Sequence, residues 1–307
     1  MGKSLRELVA EELSQPVDPR VRALAAAIAA KYGKAARAVL FYGSCLREKQ
    51  LDGLMLDFYL IVSSYRDAYG ASWLAPANRL VPPNVFPFHD GKLAAKYAVL
   101  SEADFRREMG KNARSVSVWA RFAQPSRLVW VSGDSSAERV KEVIQDAAPT
   151  LFQYTLPMMP TDRDVTVVDI WKRGFELTYQ AELRAERTAK STSIIEADHQ
   201  RYVRFGDATL QRVAQLTGVG SNGEVGLLKS QLKMARWWRQ AQRKGKLLSV
   251  LRLAKASATF AGGADYIAWK INRHAGTDIV LKPWQRRWPL LAAISLLPRL
   301  LRSGAVR

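Results

Sequence analysis

The pair Gly43-Ser44, followed thirteen residues later by Asp57, is the most informative spacing in this 307-residue chain. It sits in two apolar segments, Phe41-Tyr42-Gly43-Ser44 and Met55-Leu56-Asp57-Phe58. A strand that ends in Gly-Ser lets backbone N–H groups approach a phosphate chain closely, because glycine has no side chain to obstruct it. The serine hydroxyl adds a donor. A carboxylate on the next strand can then hold Mg²⁺ against the same phosphates. A plain strand–turn–strand with a solvated Asp57 would use the same residues, and the spacing alone does not choose. Met55 stands two residues before Asp57 and supplies no second carboxylate there. A further ligand would have to come from Asp52, which also reads as a turn residue before Gly53, or from an acidic residue far along the chain.

The elements that must position these groups are legible in outline. Residues 5–13 and 19–32 read as helices, the second Ala-rich and ending before Gly33. Ala38 to Tyr42, Leu54 to Val62, Lys96 to Leu100 and Leu128 to Val131 read as strands rich in β-formers. Tyr65 to Trp73 reads as helical. Pro76, Pro82, Pro83 and Pro87 mark residues 75–90 as a loop. Ser101-Glu102-Ala103-Asp104 opens a helix with acidic residues in its first turn. From about residue 135 the pattern is helical. We expect an α+β fold: a mixed-sheet domain over residues 1–132, a helical region over 133–245 with a winged helix as one candidate arrangement, and a basic region over 246–307.

Four segments then follow in a family order. Tyr42-Gly43-Ser44, Met55-Leu56-Asp57-Phe58, Lys96-Tyr97-Ala98-Val99 and Ala120-Arg121-Phe122-Ala123-Gln124-Pro125 resemble the motifs of the mitochondrial-type phosphatidate cytidylyltransferases. These are the peripheral CDP-diacylglycerol synthases of the nucleotidyltransferase superfamily. Leu177 to Arg184 resembles a later family segment, with Glu182 in place of its aspartate and Arg184 in place of its arginine. Leu251-Arg252 with Lys255 resembles a basic one. Trp73 is followed by Leu74 where the family has histidine. The resemblance implies transfer of CMP from CTP to phosphatidate. It implies Mg²⁺ on Asp57 and Glu182, and nucleotide contacts from Tyr42, Gly43, Ser44, Lys96, Arg121 and Arg184. It requires no dedicated general base, since a phosphomonoester with a second pKa of about 6 is largely dianionic at neutral pH. Only three histidines are present.

Charge adds a second line of evidence. Of the net +19, residues 201–307 supply +16, with 20 Lys+Arg against 4 Asp+Glu. Nine cations fall between Lys229 and Lys255 around Trp237-Trp238, with no acid among them. This run suits either nucleic acid or anionic lipid, the latter with the two tryptophans at headgroup level. The tail favours lipid. Trp284, Trp288, Leu291, Ile294, Leu297 and Leu301, flanked by arginines, read as an amphipathic helix over 283–302 that lies in a membrane interface or packs on the protein. No apolar run approaches the ~20 residues of a spanning helix. The N-terminus lacks an apolar signal core, and one cysteine excludes a disulfide framework. We therefore expect a cytoplasmic protein held at the inner face of a membrane, with nucleic acid the less favoured partner. A nucleotidyltransferase acting on RNA or another soluble acceptor, and a non-enzymatic binder with a degenerate core, are the alternatives.

Overall fold

The computed structural model describes residues 2–48, 50–91, 93–182, 189–217, 224–259 and 280–287. Five strands form one mixed sheet: β1 (Ala36–Tyr42), β2 (Met55–Val62), β3 (Asn84–Asp90), β4 (Leu93–Ser101) and β5 (Ser126–Val131). Their order is β3-β4-β2-β1-β5; β2 and β4 are parallel and the other pairs antiparallel. The expected α+β class is therefore observed, and among the described residues no strand follows Val131.

The sheet buries both faces, which is why β1 and β2 read as nearly continuous apolar runs. Val39, Phe41, Phe58 and Leu60 point to one side. There α2 (Pro19–Ala30) packs with the short α3 (Tyr65–Tyr69). Ala38, Leu40, Tyr59 and Ile61 point to the other side. That side is covered by α1 (Leu5–Ser14), α5 (Glu102–Met109), α6 (Ser117–Phe122), α7 (Asp134–Ile144), α8 (Ala147–Thr155), α9 (Val167–Gln180), α11 (His199–Thr217) and α12 (Glu224–Thr259). The short α10 (Ala189–Glu196) packs on α9 and α11. Residues on both sides of position 132 belong to this one apolar cluster, which runs from Leu5 to Trp238.

Caps fix several helix starts. Ser4 and Glu7 form a capping box on α1, Ser101 accepts from the Asp104 N–H on α5, and Thr166 with Asp169 forms a second box on α9. The region read as a proline-rich loop is different. It contains α4 (Leu74–Leu80) and strand β3. Pro76 lies in the first turn of α4, where a missing N–H costs nothing. Pro87 lies on β3, an edge strand, where a proline is tolerated. Pro76 and Pro87 thus occupy permitted positions of two regular elements, and Pro82 and Pro83 lie in the turn between them.

Trp237 and Trp238 also depart from the reading at headgroup level. Trp238 is 2 % exposed and donates through its indole N–H to the Tyr154 carbonyl, while Trp237 stacks on the Tyr154 ring at 3.9 Å. They lock α12 onto α8.

A buried ion pair closes the chain on itself. Arg201 of α11 donates to both carboxylate oxygens of Glu12 on α1, one at 2.9 Å, and to the Ala123 carbonyl just after α6 at 3.3 Å. Removing one partner strands the other charge, so Arg201→Met should lower the unfolding free energy by about 3–5 kcal/mol in urea titrations. Glu12→Leu combined with Arg201→Met should recover most of that loss, because neither charge is then left alone.

Candidate functional site

The site is built on one row of the sheet. Tyr42 pairs with Asp57 across β1 and β2, and Asp57 pairs with Lys96 across β2 and β4. Directly opposed residues share a face, so all three side chains lie on the face that carries Tyr59. The Lys96 ammonium stands 3.2 Å from Asp57 Oδ1. That oxygen is buried and has no hydrogen bond of good geometry, so the contact is electrostatic.

Gly43 follows β1 with φ of 95°, a left-handed conformation that side chains resist. A Cβ there would sit 3.1 Å from Asp57 Oδ2. Glycine is thus needed twice, for the turn and to leave the carboxylate room. Ser44 is exposed at the start of a short 3₁₀ turn, Ser44–Arg47. Cys45 behind it is buried, donates to the Met55 carbonyl, and its thiol is pushed up by burial, with Asp57 adding to the shift. Met55, in the expected carboxylate position, is 36 % exposed at the mouth of β2.

Arg121 comes down onto this row from α6. Phe122 beside it packs on Tyr42 and Tyr59, which seats α6 against the sheet. Arg121 Nη1 donates to the Tyr42 hydroxyl at 3.0 Å, and the guanidinium lies 5.1 Å from that ring. Burial opposes its charge, but Tyr42, Tyr59, Glu182 and Asp57 outweigh it and hold Arg121 firmly protonated. Burial likewise pushes the Tyr42 phenol up, against the pull of Arg121. Asp57 and Glu182, 125 residues apart in sequence, thus both act on one arginine.

Glu182 reaches this position because α9 stops at Gln180. Its N–H donates to the Tyr179 carbonyl at 3.3 Å in the turn beyond the helix. It is therefore not one member of a helical charge ladder. Arg184 lies outside the described residues, as do Trp288, Leu291, Ile294, Leu297 and Leu301. Trp284 is in the short helix Pro283–Arg287 and is 44 % exposed. Asp52 is removed from the site: it pairs with Arg20 at 2.9 Å in the turn before β2. His89 and His199 are exposed.

Two residues that complete the site come from α12. Arg252 donates to the Pro82 carbonyl at 2.7 Å, Ser117 Oγ at 2.8 Å and Ser115 Oγ at 3.0 Å. It pins α6 and the turn before β3. Burial lowers its pKa, with Tyr59, Glu182 and Glu108 opposing that shift. Gly245 lets α12 cross the end of α9 closely, since a Cβ there would overlap the Ala181 carbonyl oxygen next to Glu182. Arg252 stood in the cationic run read as facing a polyanion and in the segment that resembles a basic family motif, and neither reading placed it under the site. Gly245 gave no signal, because a helical glycine announces a close crossing only once its partner is known.

Among the described residues no group of three or more His, Cys, Asp or Glu could hold a metal ion, and no helix is long and apolar enough to cross a membrane. The chain matches no family profile and no curated protein. A solved structure of a nucleotidyltransferase-like protein from Exiguobacterium sibiricum is similar at 10 % identity over 92 % of each chain, with a TM-score of 0.27. A likeness at that level carries neither fold nor function to this chain.

Two outcomes follow from the α12 contacts. Gly245→Ala should force α12 off Ala181, lower the melting temperature and increase hydrogen exchange around residues 177–182. Lys255, which donates to the Val81 carbonyl, has its pKa pulled from 10.5 to about 7 by burial, with Arg252 adding to the shift. Between those values the unfolded chain holds the extra proton, so stability rises with pH across the window. Denaturant titrations from pH 6.5 to 10 should show this rise in the wild type and a flatter profile in Lys255→Met.

Proposed function

We propose that this chain is a nucleotidyltransferase that transfers CMP from CTP to phosphatidate at an anionic membrane surface, giving CDP-diacylglycerol and pyrophosphate. The observation that carries the reading is the convergence of Gly43, Asp57, Lys96, Arg121 and Glu182 at one end of the sheet. A strand-end glycine beside a carboxylate, with a lysine and an arginine next to it, is what a triphosphate and its metal require. The choice of CTP and phosphatidate rests on the sequence resemblance.

The donor set fits Mg²⁺. Asp57 Oδ1 is a buried oxygen without a hydrogen bond, and the missing Gly43 side chain leaves space next to Oδ2. Mg²⁺ is commonly held by one or two carboxylates together with substrate phosphates, so Asp57 and Glu182 suffice without a third ligand. When bound, the ion would neutralise charge on the phosphates. Lys96, paired with Asp57, is placed to turn toward a phosphate. Arg121, held by Tyr42, presents fixed positive charge beside it, and a group already oriented stabilises developing charge without reorganising. The phosphatidate oxygen attacks the α-phosphorus, its new bond replaces the bond to the β-phosphate oxygen, and pyrophosphate leaves. The nucleophile is already ionised, so the residues' work is alignment and charge neutralisation.

Asp57→Ala should reduce Mg²⁺-dependent pyrophosphate release from CTP by roughly a hundredfold or more while far-UV circular dichroism is unchanged. The assay is run with phosphatidate vesicles and, separately, with RNA as acceptor. Near-normal turnover of the variant would end the assignment of Asp57; release with RNA alone would move the acceptor from lipid to nucleic acid.

A further inference from the structure

We propose that the solvent-facing side of α12 is a docking surface for an anionic lipid bilayer. This rests on the reading of a lipid substrate, and it assigns the contact to a part of the chain distinct from the C-terminal tail. Helix α12 runs for 36 residues from Glu224 to Thr259 and contains no acidic residue after Glu224. At 100° per residue, Leu232, Arg236, Arg239, Arg243, Lys246 and Leu247 fall within an arc of about 100°. All six are exposed. Leu232 is 55 % and Leu247 60 % exposed, which is unusual for leucines on a helix whose other side is well packed.

That other side fixes the helix in place. Trp238 is buried, Gly245 lies against Ala181, and Arg252 is bound to Pro82, Ser115 and Ser117. The cationic arc therefore cannot roll inward. On that side too, Lys255 ties α12 to the Val81 carbonyl.

Charge complementarity selects the occupant. Four cations in the arc with no carboxylate among them call for a polyanion. A nucleic acid would engage the arginines and leave Leu232 and Leu247 in water. A bilayer with anionic headgroups takes both, the cations at the phosphates and the leucines just beneath them. Docking in this way also orients the enzyme, since the opposite side of the same helix holds Arg252 beside Arg121 and Glu182.

The test uses the full chain and vesicles of phosphatidylglycerol with phosphatidylcholine, or phosphatidylcholine alone. The wild type should sediment with the anionic vesicles only. Leu232→Ser with Leu247→Ser, and separately Arg236→Glu with Arg239→Glu and Arg243→Glu, should each weaken that partitioning about tenfold or more while melting temperatures stay near the wild-type value. Leu247→Cys carrying an environment-sensitive dye should shift to the blue on anionic vesicles; the native Cys45 is buried and does not compete for label. Unchanged partitioning of both sets would overturn the proposal. So would loss of single-stranded RNA binding in the arginine set with vesicle binding intact, or a dye already blue-shifted without lipid that turns red when residues 283–307 are deleted, which would make the tail the occupant. Pyrophosphate release on detergent-dispersed phosphatidate is measured in parallel. Its absence in the wild type would fail the chemistry and leave the docking surface standing, whereas its survival in the surface variants separates docking from catalysis.

Discussion

A guanidinium partly withdrawn from water has to be met by opposite charge and by hydrogen-bond acceptors, and Arg121 imposes that demand at the junction of three elements. Its partners arrive from different parts of the chain: Tyr42 at the end of β1, Asp57 at the start of β2, and Glu182 beyond α9. None of these placements is independent. The turn at Gly43 brings β1 back beside β2, the stop at Gln180 releases Glu182 from its helix, and Phe122 seats α6 over the tyrosines. The geometry of the site is the set of positions at which this one half-buried charge is compensated.

Helix α12 provides the second constraint. It faces the body of the protein with Trp238, Gly245 and Arg252, and faces solvent with a run of cations. Arg252 spends its donors on a backbone carbonyl and two serine hydroxyls. It therefore works as a strut between the helical layer and the sheet. The two layers cannot separate without exposing it.

Much of this was legible in the residues. The four strands around the site read correctly because the sheet is covered on both faces, so their apolar content is dense and continuous. Gly43 and Asp57 stood out because glycine at a strand end and a lone carboxylate in an apolar strand are both costly without a purpose. β3 was hidden by Pro87 within it and Pro82-Pro83 before it, since sequence cannot tell an edge strand, where proline is tolerated, from a loop. The tryptophans of α12 were misplaced for a related reason: an aromatic among lysines suits an interface and a core equally well until its partner, here Tyr154, is known. Long-range partners such as Gly245 and Ala181 left no local mark at all.

The pairing of Glu12 with Arg201 spans 189 positions. During synthesis the first helix leaves the ribosome long before α11 exists, and at roughly 5–20 residues per second it waits on the order of ten seconds or more for its counter-charge. Before then α1 can already rest on β5 and α7, but Glu12 has no counter-charge. The first helix is thus secured in two stages, and the interval between them is set by the distance along the chain to one arginine.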